Sequence, residues 1–165
     1  MNTLQLHNIL SQDAHVGPVF KGVHPADGIP PLNSGAYVIN TAPSTESQGH
    51  WVALWVSSKD VEYFDSYGQT PSSCIQVKLK GRRVTCNDQM LQSPLSAVCG
   101  QYAVYYLLHR SRGMSLASIL KDFGSDVDDN DQYVYDFMEQ SYDLDATLVD
   151  TPGFVQQMAQ SLYRK

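Results

Sequence analysis

Residues 50–57 read HWVALWVS, and after the histidine six apolar residues follow one another without a break. A half-exposed strand would alternate, and a surface helix would leave a polar face. A short uninterrupted apolar run fits a strand covered on both faces. SKD then supplies a short turn, and VEYFDSYG (61–68) reads as a second strand, so the pair forms an antiparallel hairpin. Whatever else the chain does, it must bring layers of structure against both sides of this hairpin.

The remaining segments supply those layers. LQLHNILSQD (4–13) is a first helix, apolar at Leu4, Leu6, Ile9 and Leu10. A turn-rich stretch with four prolines runs from Gly17 to Gly35. AYVINT (36–41) reads as a strand and PSTESQG (43–49) as a polar loop. IQVKLK (75–80) alternates strictly, which predicts a half-exposed strand, and RVTC (83–86) predicts a short edge strand. Helices follow. Cys99 to His109 carries Ala103, Val104, Leu107 and Leu108 on one face, widened by Tyr105 and Tyr106, as expected of a deeply packed helix. MSLASILKDF (114–123), with Ser115 as a cap, and DQYVYDFMEQSY (131–142) are further helices. Thr151-Pro152 offers a cap and a first-turn proline for a last helix to about Tyr163. The fold class expected is α+β, a small, mainly antiparallel sheet with surrounding helices, in a single domain over residues 1–165.

Composition excludes several functions. With 17 acidic against 11 basic residues, the net charge of −6 disfavours a phosphate backbone as partner. The local exception, KLKGRR (78–83), reads as a solvated turn between two strands. No apolar run approaches the ~20 residues of a membrane span. The first residues, MNTLQLHNILSQD, lack a basic start and a long apolar middle, so no secretory leader and no membrane are expected. Cys74, Cys86 and Cys99 make an odd count without a CxxC pair. That argues against a disulfide framework and a cysteine zinc site, and for a reducing compartment. DVDDND (126–131) fails a calcium loop, having Asp131 where glycine is needed and Phe137 where glutamate is needed, and reads as an acidic helix start. His7, His15, His24 and His109 show no metal-ligand spacing, and His109 suits a helix C-terminus. No cofactor or metal is expected.

LQSPLSAVCGQYAVYYLLH (91–109) raises a chemical question, because a polar loop delivers Cys99 to the first turn of the most apolar helix. Cys99 there is either a small core hydrophobe or a nucleophile. A free thiol titrates near ~8.5, and a helix N-terminus or a neighbouring imidazolium lowers that value. His50 heads the first hairpin strand and Asp65 ends the second, so a hairpin brings both to one open end. An imidazole beside a carboxylate gains a fixed tautomer and a stabilised cation. Two unrelated polar residues at strand ends are the bland alternative. Gln92, in the loop approaching Cys99, has a neutral amide suited to an oxyanion, and Gly100 leaves space beside the thiol.

These segments match a known family in order. VGPVFKGV (16–23), YVINTA (37–42), GHWVALWV (49–56), YFDSYG (63–68) and LQSPLSAVCGQY (91–102) resemble the adenovirus maturation protease, or adenain, and its relatives in virophages and virus-like transposons. The resemblance covers roughly Gly17 to Leu108. It implies the cysteine peptidase fold shared with ubiquitin-like-modifier proteases. It also implies Cys99 as nucleophile, His50 as base and acid, Asp65 orienting His50, and Gln92 with the Cys99 N–H as the oxyanion hole. Trp51 would pack beside the site. The implied reaction is amide hydrolysis through a thioester. The implied substrates are viral capsid precursors cleaved after small residues such as glycine, in the virion and the host cell interior.

The chain departs from that family in three ways. Adenovirus enzymes use an activating peptide disulfide-linked to an upstream cysteine, but the spacing of Cys86 to Gln92 does not match, and Cys74 is a weaker candidate. Both are expected to be buried structural thiols, with an activating peptide left open. Adenovirus enzymes are basic and bind DNA, whereas this chain is acidic, so nucleic acid is not expected as a partner. The region after Leu108 does not align. Two other readings remain: a protease for ubiquitin-like modifiers, which has one residue fewer between Gln and Cys, and an inactive relative serving capsid assembly.

Overall fold

The computed structural model describes residues 1–46 and 48–142. Its elements are α1 (Thr3–Gln12), β1 (Phe20–Pro25), β2 (Gly35–Asn40), β3 (Trp51–Ser57), β4 (Asp60–Phe64), α2 (Ser73–Leu79), β5 (Arg83–Cys86), α3 (Cys99–Ser111), α4 (Leu116–Ile119) and α5 (Val127–Ser141). The strands form one sheet in the order β1-β2-β3-β4-β5, which makes the architecture α+β. The helix expected after Thr151 lies outside the described residues.

The apolar hairpin is the centre of the sheet. β3 pairs antiparallel with β2, from Gly35 opposite Val56 to Asn40 opposite Trp51. It pairs antiparallel with β4, from Ala53 opposite Phe64 to Ser57 opposite Asp60. Side chains alternate across β3. Ala53, flanked by Trp51 and Trp55, faces a core built with α1, α3, α4 and α5. Val52, Leu54 and Val56 face a second core with Tyr37, Tyr63 and the α2 residues Ile75 and Leu79. The unbroken apolar run thus feeds two cores at once. Each fully buried side chain of this size contributes roughly 1.5–3 kcal/mol of transfer free energy.

The sheet is antiparallel only in these three central strands. Both outer pairs, β1 with β2 and β4 with β5, are parallel. For β4 and β5 the reason lies in the connection: β4 leads into α2 before β5 returns, and such a crossover delivers a parallel strand, whereas a tight turn delivers an antiparallel one. β1 falls inside the stretch read from the sequence as turn-rich. It sits at the sheet edge, where proline is tolerated, and its register shifts between Phe20 and Val23, around Gly22 at φ +105°.

The strand expected over residues 75–80 is instead the helix α2. Ile75 and Leu79 are buried while Val77 between them is 71% exposed. Residues four apart share a helix face, so the same apolar letters satisfy both patterns until burial decides. KLKGRR accordingly links a helix to a strand, not two strands. Cys74 lies exposed on α2 and Cys86 is half-buried, so neither is the fully buried thiol that was expected.

The other helices follow their caps. In α1, Asn2 accepts from the Gln5 N–H at 2.9 Å and Gln5 accepts from the Asn2 N–H at 2.9 Å. Leu6 and Leu10 turn inward while Leu4 is 67% exposed. Ser115 accepts from the Ser118 N–H, as expected, to start the short α4. Asp126 accepts from the Asp128 and Asp129 N–H groups, so α5 begins four residues earlier than Asp131. α3 is buried from Tyr102 through Leu108 and lies across β3. His109 contacts the Tyr105 carbonyl through Nδ1 at 2.8 Å near the α3 C-terminus.

Candidate active site

The open end of the β3–β4 hairpin carries the two residues expected there. His50 stands one residue before β3, with its N–H on the Thr41 hydroxyl at 3.1 Å and its carbonyl accepting from the Thr41 N–H at 2.8 Å. The histidine is therefore fixed against the end of β2. Asp65 stands one residue after β4 and is buried. The side chains meet, with His50 Nε2 2.7 Å from Asp65 Oδ1. That leaves Nδ1 for the thiol.

Asp65 is held from several sides. Its N–H donates to Asn87 Oδ1 at 2.9 Å, and Asn87 Nδ2 donates back to the Asp65 carbonyl at 2.6 Å. The Tyr67 N–H donates to the same Oδ1 that faces His50, at 2.8 Å. The Tyr67 ring stacks on the imidazole with centroids 4.6 Å apart and planes 26° from parallel. Asn87 directly follows β5, so the edge strand braces the carboxylate.

Cys99 is the first residue of α3, and Val98 before it offers no side-chain cap. The first-turn N–H groups of α3 consequently stay available, with the positive end of the helix dipole at the sulfur. Burial alone would push the thiol up. Its hydrogen bond with His50, the Trp51 N–H directed at it and the imidazolium charge together draw it below the ordinary thiol value. Burial likewise opposes a charged His50, but the hydrogen bonds to Asp65 and Cys99 and their charges raise it to about 9. Both shifts favour the same state, a thiolate beside an imidazolium. Cys86 has the opposite surroundings: burial, then the Asp65 charge, push its thiol up.

Gln92 is fully buried and tied to this arrangement by a different route. Its Oε1 accepts from the Ser66 hydroxyl at 2.7 Å. Its Nε2 donates to the Ser96 carbonyl and the Ser96 hydroxyl, both at 3.1 Å. The loop that carries Gln92 to Cys99 is pinned by Asp131, which accepts from the Ser93 N–H at 3.2 Å and the Tyr102 hydroxyl at 2.9 Å. His50, Asp65 and Cys99 thus form a continuous chain, and Gln92 joins it through Ser66, the neighbour of Asp65.

Gly100 does not open space beside the thiol. It is buried, and a Cβ there would stand 3.0 Å from the Met1 Cβ and 3.5 Å from the Trp51 indole, so the glycine lets α1 and Trp51 approach α3. Trp51 packs beside the site as expected, its indole N–H on the Met1 carbonyl at 3.2 Å. Sequence reasoning missed Asn87, the Ser66 hydroxyl and the Tyr67 ring. Ser66 and Tyr67 lie inside the YFDSYG segment (63–68) that supplies Asp65, which is the only signal for them. Nothing in the sequence marks Asn87. Among the described residues no group of three or more His, Cys, Asp or Glu side chains is disposed to hold a metal.

No family model and no curated protein matches the chain. Among solved structures it is similar to the ASFV pS273R protease. A selenomethionine crystal form of that protein is 24% identical, over 62% of this chain and 42% of that one, with a TM-score of 0.43. A second crystal structure of the same protease is 21% identical, over 63% and 42% of the two chains, with a TM-score of 0.43. The matched region spans about two fifths of that protease's length.

Proposed function

We propose that the chain is a viral cysteine endopeptidase of the adenain type that cleaves capsid precursor proteins during virion maturation. The observation that carries the peptidase reading is the continuous Cys99–His50–Asp65 chain with its thiol at an uncapped helix N-terminus. The Cys99 thiolate attacks the scissile carbonyl carbon, and the carbonyl oxygen becomes an oxyanion. The Cys99 N–H and the Gln92 amide stabilise it. The His50 imidazolium protonates the departing amine as the thioester forms. Neutral His50 then takes a proton from water, which attacks the thioester, and the acid product leaves as the thiolate–imidazolium pair is restored. Asp65 holds the imidazole in one tautomer throughout.

The ordered match of five segments supports capsid precursors cleaved after small residues such as glycine as the substrates. The net charge of −6 supports an enzyme that works without DNA. The test is cleavage of viral capsid precursors and of glycine-containing peptides by wild type and Cys99→Ala, with no added cofactor. Cleavage by wild type alone is expected. Cleavage by both forms overturns the assignment of Cys99. Turnover of ubiquitin-like-modifier conjugates with no cleavage of precursors or peptides overturns the capsid reading.

A further inference from the structure

The placement of Gln92 poses a problem for any role at an oxyanion. Its amide nitrogen carries both N–H donors and lies 3.1 Å from the carbonyl and 3.1 Å from the hydroxyl oxygen of Ser96, so its donation is directed at Ser96. The Ser96 carbonyl can only accept. The Ser96 hydroxyl donates its own proton to the Ser93 carbonyl at 3.1 Å, so toward Gln92 it too is an acceptor. Two acceptors on one side fix Nε2 toward the Ser93–Ser96 turn and Oε1 toward Ser66. Ser66 meets that oxygen with its hydroxyl at 2.7 Å. Its carbonyl also accepts the Leu91 N–H at 2.8 Å and the Gln92 N–H at 3.0 Å. Ser66 and Gln92 are both buried, so no water competes for these bonds.

Resting on the peptidase reading, we propose that Ser66 is a positioning residue that grips the Gln92 carboxamide by its oxygen while one N–H passes from the Ser96 hydroxyl to the substrate oxyanion. The exchange breaks one N–H···Oγ hydrogen bond and forms one N–H···O⁻ hydrogen bond, and Ser96 keeps its bond to Ser93. A charge-assisted bond is roughly twice as strong as a neutral one. The transfer therefore gains only once negative charge has developed on the substrate, so it favours the transition state over the bound substrate. During it, the amide keeps two anchors, the Ser96 carbonyl at nitrogen and the Ser66 hydroxyl at oxygen. Donation to Oε1 also polarises the amide and strengthens its N–H donors. Without the hydroxyl, the carboxamide hangs from a single bond at the moment it is needed.

The test is a double-mutant cycle of Ser66→Ala and Gln92→Ala on peptide hydrolysis, read as kcat and KM separately. Gln92→Ala is expected to lower kcat ~10²-fold, as for loss of one oxyanion donor, and Ser66→Ala about tenfold with KM nearly unchanged. The double variant is expected to match Gln92→Ala, because Ser66 acts through Gln92. Losses that multiply, or full kcat in Ser66→Ala, overturn the proposal. Alkylation of Cys99 by iodoacetamide needs no oxyanion donor, so its rate is expected to stay at the wild-type value in Ser66→Ala; a parallel fall there marks a general structural role and overturns the proposal. Ser66→Cys, close in shape with a weak S–H donor, is expected to fall between wild type and Ser66→Ala, which keeps the cycle decisive if the alanine variant does not fold. The ¹⁵N carboxamide signals of Gln92, identified by their loss in Gln92→Ala, are expected to shift and lose exchange protection in both Ser66 variants. Unchanged signals overturn the grip. This arm needs no substrate, so a wild type that hydrolyses nothing would remove the peptidase reading while the spectra still decide the role of Ser66.

Discussion

At the scale of single residues, the site depends on two opposed shifts that reinforce each other. Cys99 is drawn below the ordinary thiol range and His50 is raised to about 9. The two shifts together widen the pH range over which the charged pair exists. Peptidase kcat/KM is expected to rise with pH on the acid side as the thiolate forms, at lower pH than for an ordinary thiol. It is expected to fall on the alkaline side near pH 9, as His50 loses the proton it must give to the leaving amine. The carboxylate of Asp65 favours the imidazolium, so removing its charge lowers the His50 value. In Asp65→Asn the alkaline limb of the profile should move toward neutral pH. A limb that stays in place would mean that Asp65 does not set the imidazole. Iodoacetamide should label Cys99 faster than Cys86 at neutral pH, since Cys86 is held protonated by burial and by the Asp65 charge.

At the scale of elements, α2 offers the sharpest comparison. A strand over residues 75–80 would place Ile75, Val77 and Leu79 on one face, equally buried. In the helix Ile75 is fully buried and Val77 is 71% exposed. Ile75→Ala is expected to cost about 2–5 kcal/mol in denaturant unfolding, and Val77→Ala to stay within about 0.5 kcal/mol. Similar losses at both positions would restore the strand. The contrast also explains what was legible beforehand. The β3–β4 hairpin was readable because its apolar run admits one explanation, and with it came the meeting of His50 and Asp65. Cys99 was readable because a cysteine at the start of an apolar helix has a limited set of roles. α2 was not, since apolar residues at spacings of two and four fit both periods. β1 was hidden because proline and glycine mark turns and edge strands alike. The hold of Asn87 on Asp65, and of Ser96 on the Gln92 amide, came from contacts between distant segments that no local pattern encodes.

At the scale of the whole molecule, the hairpin divides two cores and the site sits at one end of their shared wall. The charge of the chain acts at this scale too. A net charge of −6 provides no counterion-release drive toward DNA. Duplex DNA at physiological salt is expected to change the cleavage rate by less than about twofold. A large stimulation would show that a local basic surface, such as the segment from Lys78 to Arg83, overrides the global balance.

The bracing of Asp65 by Asn87 has a further consequence. β5 is four residues long, lies at the sheet edge and is largely exposed, yet Asn87 hangs from its end. Exposed edge elements open at lower free energy than core strands. Amide hydrogen exchange in β5 should accordingly run ahead of that in β3, and mild denaturant should release β5 while both cores stay closed. In that partly opened form the thiol and imidazole remain in place without a firmly held acid. The molecule is therefore expected to lose activity before it loses its fold, failing first by fraying at the sheet edge.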